Sequence, residues 1–336
     1  MDVVEAAGSG LHRRRQLCVV VALDVANAFN TAKWKKIEQS LHDKRMPKYL
    51  IAAIQSYLSD REIEYEGRSR ITTCGVPQGS VLGPLLWNVM YDDLLRVDTG
   101  GNVRGISSTN MVAFADDVAV VATGHTTSIL EDVTNNALEK VAEWMTKAGL
   151  TLSVTKTEAV MLTTKRGYLK PYLEIRGERV EIKNQIKYLC LELHRVLGFK
   201  AHLEAAAGKA QTTALALSRL MPNLGGAGPK KGRLLTTVVE SKLLYGSPIW
   251  ASALVHQRNV DIILRPQRVL ALRTAMCYRM VSTAAAMAIA SPSVREVGKV
   301  YPQRRVGQGW SSQRSTGGDH EEMAEGMGRG GKRPMD

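Results

Sequence analysis

Four residues, Phe114-Ala115-Asp116-Asp117, constrain this chain more than any other stretch. Two adjacent acids stand inside an apolar run, with Met111-Val112-Ala113 before them and Val118-Ala119-Val120-Val121 after. Carboxylates about 4 Å apart repel by roughly 4 kcal/mol at an effective dielectric near 20, so a half-buried pair persists where a cation, usually a metal ion, neutralises it. The run is too short for a helix, which predicts a strand, a tight turn at the acids and a second strand. That hairpin would carry two carboxylates at its tip. Taken alone, Asp-Asp is also an ordinary surface turn.

Two other stretches bear on that choice. Cys18-Val19-Val20-Val21-Ala22-Leu23 is a nearly continuous apolar run ending in Asp24, the pattern of a buried central strand that delivers a third carboxylate at its end. Between the acids lies Gly75-Val76-Pro77-Gln78-Gly79-Ser80-Val81-Leu82-Gly83-Pro84, followed by the helix-like segment Leu85 to Leu95. Glycines let backbone approach a ligand closely, and a helix start presents free N–H groups, so this loop suits a nucleotide or a nucleic-acid strand.

Together these stretches resemble the palm of reverse transcriptases, in particular those of non-LTR (LINE-type) retrotransposons of the insect type. Leu23-Asp24-Val25-Ala26-Asn27-Ala28-Phe29-Asn30 is similar to motif A, Gly75 to Pro84 to motif B, and Phe114-Ala115-Asp116-Asp117 to motif C. Ala148-Gly149-Leu150-Thr151-Leu152-Ser153 with Lys156-Thr157-Glu158 looks like motif D, and Ile186-Lys187-Tyr188-Leu189-Cys190-Leu191 like the motif E primer grip, with Cys190 where relatives usually carry Gly. The resemblance implies an α+β fold: a right-hand polymerase palm, with an antiparallel sheet and packed helices, followed by a helical thumb. On that reading residues 1–16 are a remnant of fingers or linker, 17–195 the palm, 196–290 the thumb and 291–336 a disordered tail.

The activity implied is RNA-directed DNA polymerisation on an RNA template and DNA primer with deoxynucleoside triphosphates. Two Mg²⁺ ions, for which Mn²⁺ is a possible substitute, would be held by Asp24, Asp116, Asp117 and the backbone carbonyl of Val25, in keeping with the preference of Mg²⁺ for hard oxygen ligands. By the same resemblance Phe29 is the steric gate against ribonucleotides. Pro77, Gln78 and Gly79 would line the nucleotide, with Gln78 contacting base and template. Lys156 would act as general acid toward the departing pyrophosphate. Read without the family, Phe29 is a core aromatic, Gln78 a turn residue and Lys156 a solvated loop cation.

The net charge of +13 suits a polyanionic partner, nucleic acid first. The tail from Ser291 has eight Lys and Arg against six Asp and Glu, so most of the excess belongs to the body of the chain. No stretch is long and apolar enough for a membrane span, which argues against a membrane partner. Cys18, Cys74, Cys190 and Cys277 are widely spaced, so neither a disulfide framework nor a zinc site is expected and the chain reads as intracellular. The resemblance implies the nucleus, for which Lys230-Lys231 and Lys332-Arg333 are thin import signals. Nothing in the residues sets an oligomeric state.

Helical spacing predicts helices over Thr31 to Lys44 (Trp34, Ile37, Leu41) and Pro47 to Leu58 (Leu50, Ile51, Ile54, Leu58), covering one face of the sheet. Ser128 and Glu131 read as a capping box opening the strongest helix in the chain, which Gly149 ends. Strands are expected at Thr157 to Leu162, Tyr172 to Ile175 and Arg179 to Ile182, then helices at His202 to Leu220, Arg233 to Tyr245 and Val260 to Tyr278. From Ser291 there is no Leu, Ile or Phe, and the Gly, Arg, Ser and Glu content predicts disorder, from a frameshifted or foreign end or as a functional basic arm. Only 23 residues precede Asp24, so fingers are expected to be largely missing, and nothing resembles an endonuclease. Two readings stay open: a polymerase module, or a catalytically inactive retroelement relic that at most binds nucleic acid.

Overall fold

A computed structural model describes residues 16–163, 167–221 and 229–290. The expected tail from Ser291 and the first fifteen residues lie outside the described residues.

The apolar run becomes β1 (Leu17–Leu23), whose only residue not fully buried is Ala22. Burial on both faces explains why it does not alternate. It is the middle strand of a five-stranded sheet ordered β4-β5-β1-β6-β9, with β4 (Ser107–Phe114), β5 (Asp117–Gly124), β6 (Glu158–Leu162) and β9 (Ile182–Lys183). All pairings are antiparallel except β6 with β9, and Val20 of β1 lies opposite Val121 of β5 and Val160 of β6. The predicted strand, turn and strand around Asp116-Asp117 is therefore β4, turn and β5.

Alternation sends Val19, Val21 and Leu23 to one face and Cys18 and Val20 to the other. Helices cover the first face. They are a short α1 (Ala28–Thr31), α2 (Trp34–Asp43), α3 (Lys48–Leu58), α4 (Leu82–Leu95) and α5 (Thr127–Ala148), which bring Ile37, Leu41, Leu86, Trp87, Leu138 and Met145 onto the strands. The second face is covered by the hairpin β10 (Gln185–Tyr188) and β11 (Leu191–His194) and by α6 (Lys200–Ser218), α7 (Pro229–Leu244) and α9 (Gln257–Thr274), with a short α8 (Ser247–Trp250) between the last two and α10 (Thr283–Ala290) after them. Burial pushes the Cys18 thiol up to about 12, and all four cysteines are free. No helix among the described residues is long and apolar enough to cross a membrane.

Several boundaries differ from expectation; the helix expected over Val260 to Tyr278, for instance, is α9, Gln257–Thr274. The helix expected from Thr31 begins at Trp34, because the chain turns at Ala32-Lys33, where Ala32 O accepts from Gly75 N at 2.7 Å and Lys33 bridges Cys74. The helix expected from Leu85 begins at Leu82, since proline is tolerated in a first turn that needs no N–H from it. The Ser128/Glu131 capping box does not form: Thr126, in extended conformation, accepts from Ile129 N–H, and the Glu131 carboxylate instead accepts from Tyr172 N–H at 2.7 Å. Gly149 does end α5, with φ 76°. A hairpin of β2 (Glu62–Tyr65) and β3 (Arg68–Ile71), exposed throughout, was not anticipated. The expected hairpin around Gly177 is β7 (Leu173–Ile175) with β8 (Glu178–Val180).

Candidate active site at the hairpin tip

The register of the central strands gathers the acids. Leu23 is opposite Val118, so the next positions along β1 and β5 are Asp24 and Asp117, and Asp116 lies in the turn beside them. That turn is tight enough to force Ala115 to φ 54°. The Asp117 carboxyl is held above the ordinary carboxylate range by desolvation, then by the negative charges of Asp116 and Asp24. The three side chains therefore sense one another. Among the described residues, however, no three His, Cys, Asp or Glu are gathered closely enough to form a metal cage by themselves. The donors are the hard oxygens a divalent cation prefers, and they fit one that brings further oxygen ligands with it, such as those of a phosphate.

Backbone geometry bears on Val25. Its bridge to Leu152 is flanked by Ser153 N–H donating to Asp24 O and Ala26 N–H donating to Thr151 O, both at 2.9 Å. Those bonds leave Val25's own carbonyl pointing to the opposite edge of the strand, the side on which β5 and Asp117 lie. The same bonds seat the single 3₁₀ turn Val154–Lys156 beside β1. From it Lys156, 70% exposed, reaches Asp24 Oδ2 at 3.5 Å. An exposed pair at this distance contributes about 0–1 kcal/mol, so the lysine is free to exchange partners.

The loop after Cys74 is stitched to the segment after Asp24. Gly75 N–H donates to Ala32 O, Val76 N–H donates to Phe29 O at 2.8 Å, and the Trp34 indole donates to Gly75 O at 2.7 Å. Gly75 is required here, because its φ is 93° and a Cβ would come within 2.9 Å of Asn30 O. Beyond this anchor Pro77 is half-buried, while Gln78 and Gly79 are exposed at the tip of the loop. Phe29 is half-buried, its ring centroid 5.1 Å from that of Trp87. The fold thus brings Asp24, Asp116, Asp117 and Lys156 together, with Phe29 and the loop attached through α1.

Two residues with no place in the sequence reading support the turn. Trp87, fully buried in α4, donates its indole N–H to Ala115 O at 2.9 Å, tying the acidic turn to the helix beneath. Tyr91, one turn further, stacks on Trp87 at 4.8 Å and meets Trp144 of α5 edge-on at 5.8 Å. Burial first, then the charges of Asp116 and Asp117, pushes the Tyr91 hydroxyl upward, so it stays protonated close to the acids. The i, i+4 spacing of Trp87 and Tyr91 was visible as a helix pair, but nothing local marks a bond to a carbonyl 28 residues away.

The sequence is similar to those of several retrotransposon proteins. The chain is 24% identical over 270 residues to the retrovirus-related Pol polyprotein from type-1 retrotransposable element R1 of Bradysia coprophila, covering 78% of this chain and 26% of that protein. It is 26% identical over 273 residues to the probable RNA-directed DNA polymerase from transposon BS of Drosophila melanogaster, covering 79% of this chain and 30% of the relative. The chain thus spans about a quarter to a third of the length of these proteins. Among solved structures, the telomerase of Candida tropicalis in complex with a TWJ fragment of telomeric RNA aligns with a TM-score of 0.44 and 10% identity, over 89% of this chain and 51% of that one. The reverse transcriptase (RNA-dependent DNA polymerase) family profile matches residues 4–193, from ahead of β1 to the end of the β10–β11 hairpin, and the chain belongs to that family.

Proposed function

We propose that this chain is the RNA-directed DNA polymerase module of a non-LTR retrotransposon, with residues 17–195 as palm and 196–290 as thumb. The observation that carries the reading is the convergence of Asp24, Asp116 and Asp117 at one end of the two central strands, with Lys156 within reach of Asp24. A primer 3′-hydroxyl would attack the α-phosphorus of a deoxynucleoside triphosphate, and pyrophosphate would leave. Asp24, Asp116 and the Val25 carbonyl would hold two Mg²⁺ ions, with Asp117 adjusting the site; bound there, the ions supply charge stabilisation and a lowered hydroxyl pKa. Phe29, braced by Trp87, would set the wall against the sugar 2′ position, and Pro77, Gln78 and Gly79 would face base and template. Lys156 would exchange Asp24 for the leaving phosphate and donate a proton there. RNA template and DNA primer would lie along the basic body, and their binding should weaken steeply with salt.

Primer extension on an RNA template with Mg²⁺ or Mn²⁺, run beside an Asp116→Asn, Asp117→Asn double substitution, tests the proposal. Extension by the parent and none by the variant supports it. No extension, with salt-sensitive binding of primer–template retained, replaces it with a non-catalytic relic that binds nucleic acid.

A further inference from the structure

The helical layer holds a cavity of about 380 Å³ between α7, α9 and α10, and none of its lining residues belongs to the acidic turn or its loop. That volume lies in the range of sites for small organic ligands, roughly 300–1,000 Å³. Its wall contains Gln267, only 4% exposed, and neither the amide nitrogen nor the amide oxygen has a hydrogen-bond partner among the described residues. Thr274 follows on the same face of α9, seven residues on, and its hydroxyl is likewise buried and unpaired. Burying an amide with both ends unsatisfied costs folding free energy that a leucine of similar size would not. A ligand that pairs with both ends would recover it.

Such a ligand must present a donor and an acceptor side by side in one plane. Nucleobase edges do so, and glutamine matches the N6/N7 edge of adenine with two hydrogen bonds. Ala271 and the deformable Met287 offer apolar surface to the faces of a ring. Arg233 lines the same cavity and is exposed, a fork of donors suited to a phosphate. Glu240 lines the cavity too, and burial raises its carboxyl pKa above the ordinary value.

We infer that this cavity binds a single nucleobase bearing a phosphate, adenine in the first instance, read by the Gln267 amide and anchored by Arg233. The base would come from a free mononucleotide or from an unstacked position of a bound strand.

The test is calorimetric titration of the full chain with AMP, with a short oligoadenylate and with an abasic strand of equal length, together with thermal melts. Gln267→Leu should weaken AMP binding roughly tenfold or more while leaving the melting temperature equal or higher. The Asp116→Asn, Asp117→Asn variant should bind AMP as the parent does, separating this cavity from the acidic turn. AMP matching the oligoadenylate in affinity assigns the free nucleotide as source; tighter binding of the oligoadenylate, with the abasic strand weaker, assigns a base in a strand. Three results would overturn the inference: no AMP or oligoadenylate binding by the parent beyond that of the abasic strand, unchanged binding in Gln267→Leu, or a lower melting temperature in that variant, which would make the amide a structural group.

Discussion

The two faces of the central sheet are built differently. On the face under α2 to α5, large side chains interlock and polar groups are spent on bracing the acidic turn: Trp87 donates to Ala115 O, and Tyr91 is the one side chain there whose buried polar atom lacks a partner among the described residues. In the layer of α6, α7 and α9 on the other side, small residues such as Ala207, Ala210 and Ala214 fill the contact, and His202, Gln211, Gln267 and Thr274 all bury atoms without partners among the described residues. A close-packed core with satisfied polar atoms holds a geometry, whereas unsatisfied buried groups lower stability in exchange for something else, a ligand or a motion. The first face is the one whose shape the proposed chemistry depends on.

The largest test of this contrast is Trp87. Trp87→Ala removes a fully buried indole and should cost about 3–5 kcal/mol in chemical denaturation. Trp87→Phe keeps most of the packing but strands the Ala115 carbonyl, for roughly 1–3 kcal/mol, and should lower primer extension more than its stability loss explains. If Trp87→Ala costs no more than Gln267→Leu, the two faces do not differ as described.

Much of the first face was legible in the sequence, because its cues are local. An unbroken apolar run marks a strand buried on both sides, the acids interrupting a second such run mark the turn, and Gly149 marks a helix end. What escaped depends on tertiary partners. Glu131 was free to cap its own helix until Tyr172 N–H took its carboxylate. In the β2–β3 hairpin, Glu62-Ile63-Glu64-Tyr65 does alternate, but over only four residues, and its partner Arg68-Ser69-Arg70-Ile71 carries a single apolar side chain, so the pair gives a weak signal and buries no face. Of the candidate site, the acids, the loop and Lys156 were legible as motifs, but the bracing by Trp87 and Tyr91 spans elements far apart in the chain.

Two glycines sharpen the comparison with opposite signs. Gly149→Ala forces a left-handed backbone onto a residue with a Cβ, 3.0 Å from Lys33 Cγ, and should destabilise by about 1–2 kcal/mol. Gly208 lies exposed within α6 with no atom within 4 Å of where a methyl group would stand, so Gly208→Ala should stabilise by about 0.5–1 kcal/mol. Urea midpoints falling for both would show that α6 is as constrained as the end of α5, and midpoints rising for both that neither is.

The smallest expected effect lies at the acids themselves. Asp117 has its pKa raised above 3.8 by desolvation and by Asp116 and Asp24, so its protonated form favours the folded state. For such an acid the favourable contribution is complete below the ordinary value and is lost as pH rises through the raised one. At neutral pH the ionised side chain therefore opposes folding, and Asp117→Asn removes that opposition. Because the group is exposed to solvent, the gain should be only about 1–2 °C in melting temperature, shrinking to nothing as pH falls toward 3. A variant that melts lower than the parent at neutral pH would mean that a cation, such as the Lys156 paired with Asp24, already offsets the repulsion. The acidic turn would then be stabilised by its charges rather than strained by them.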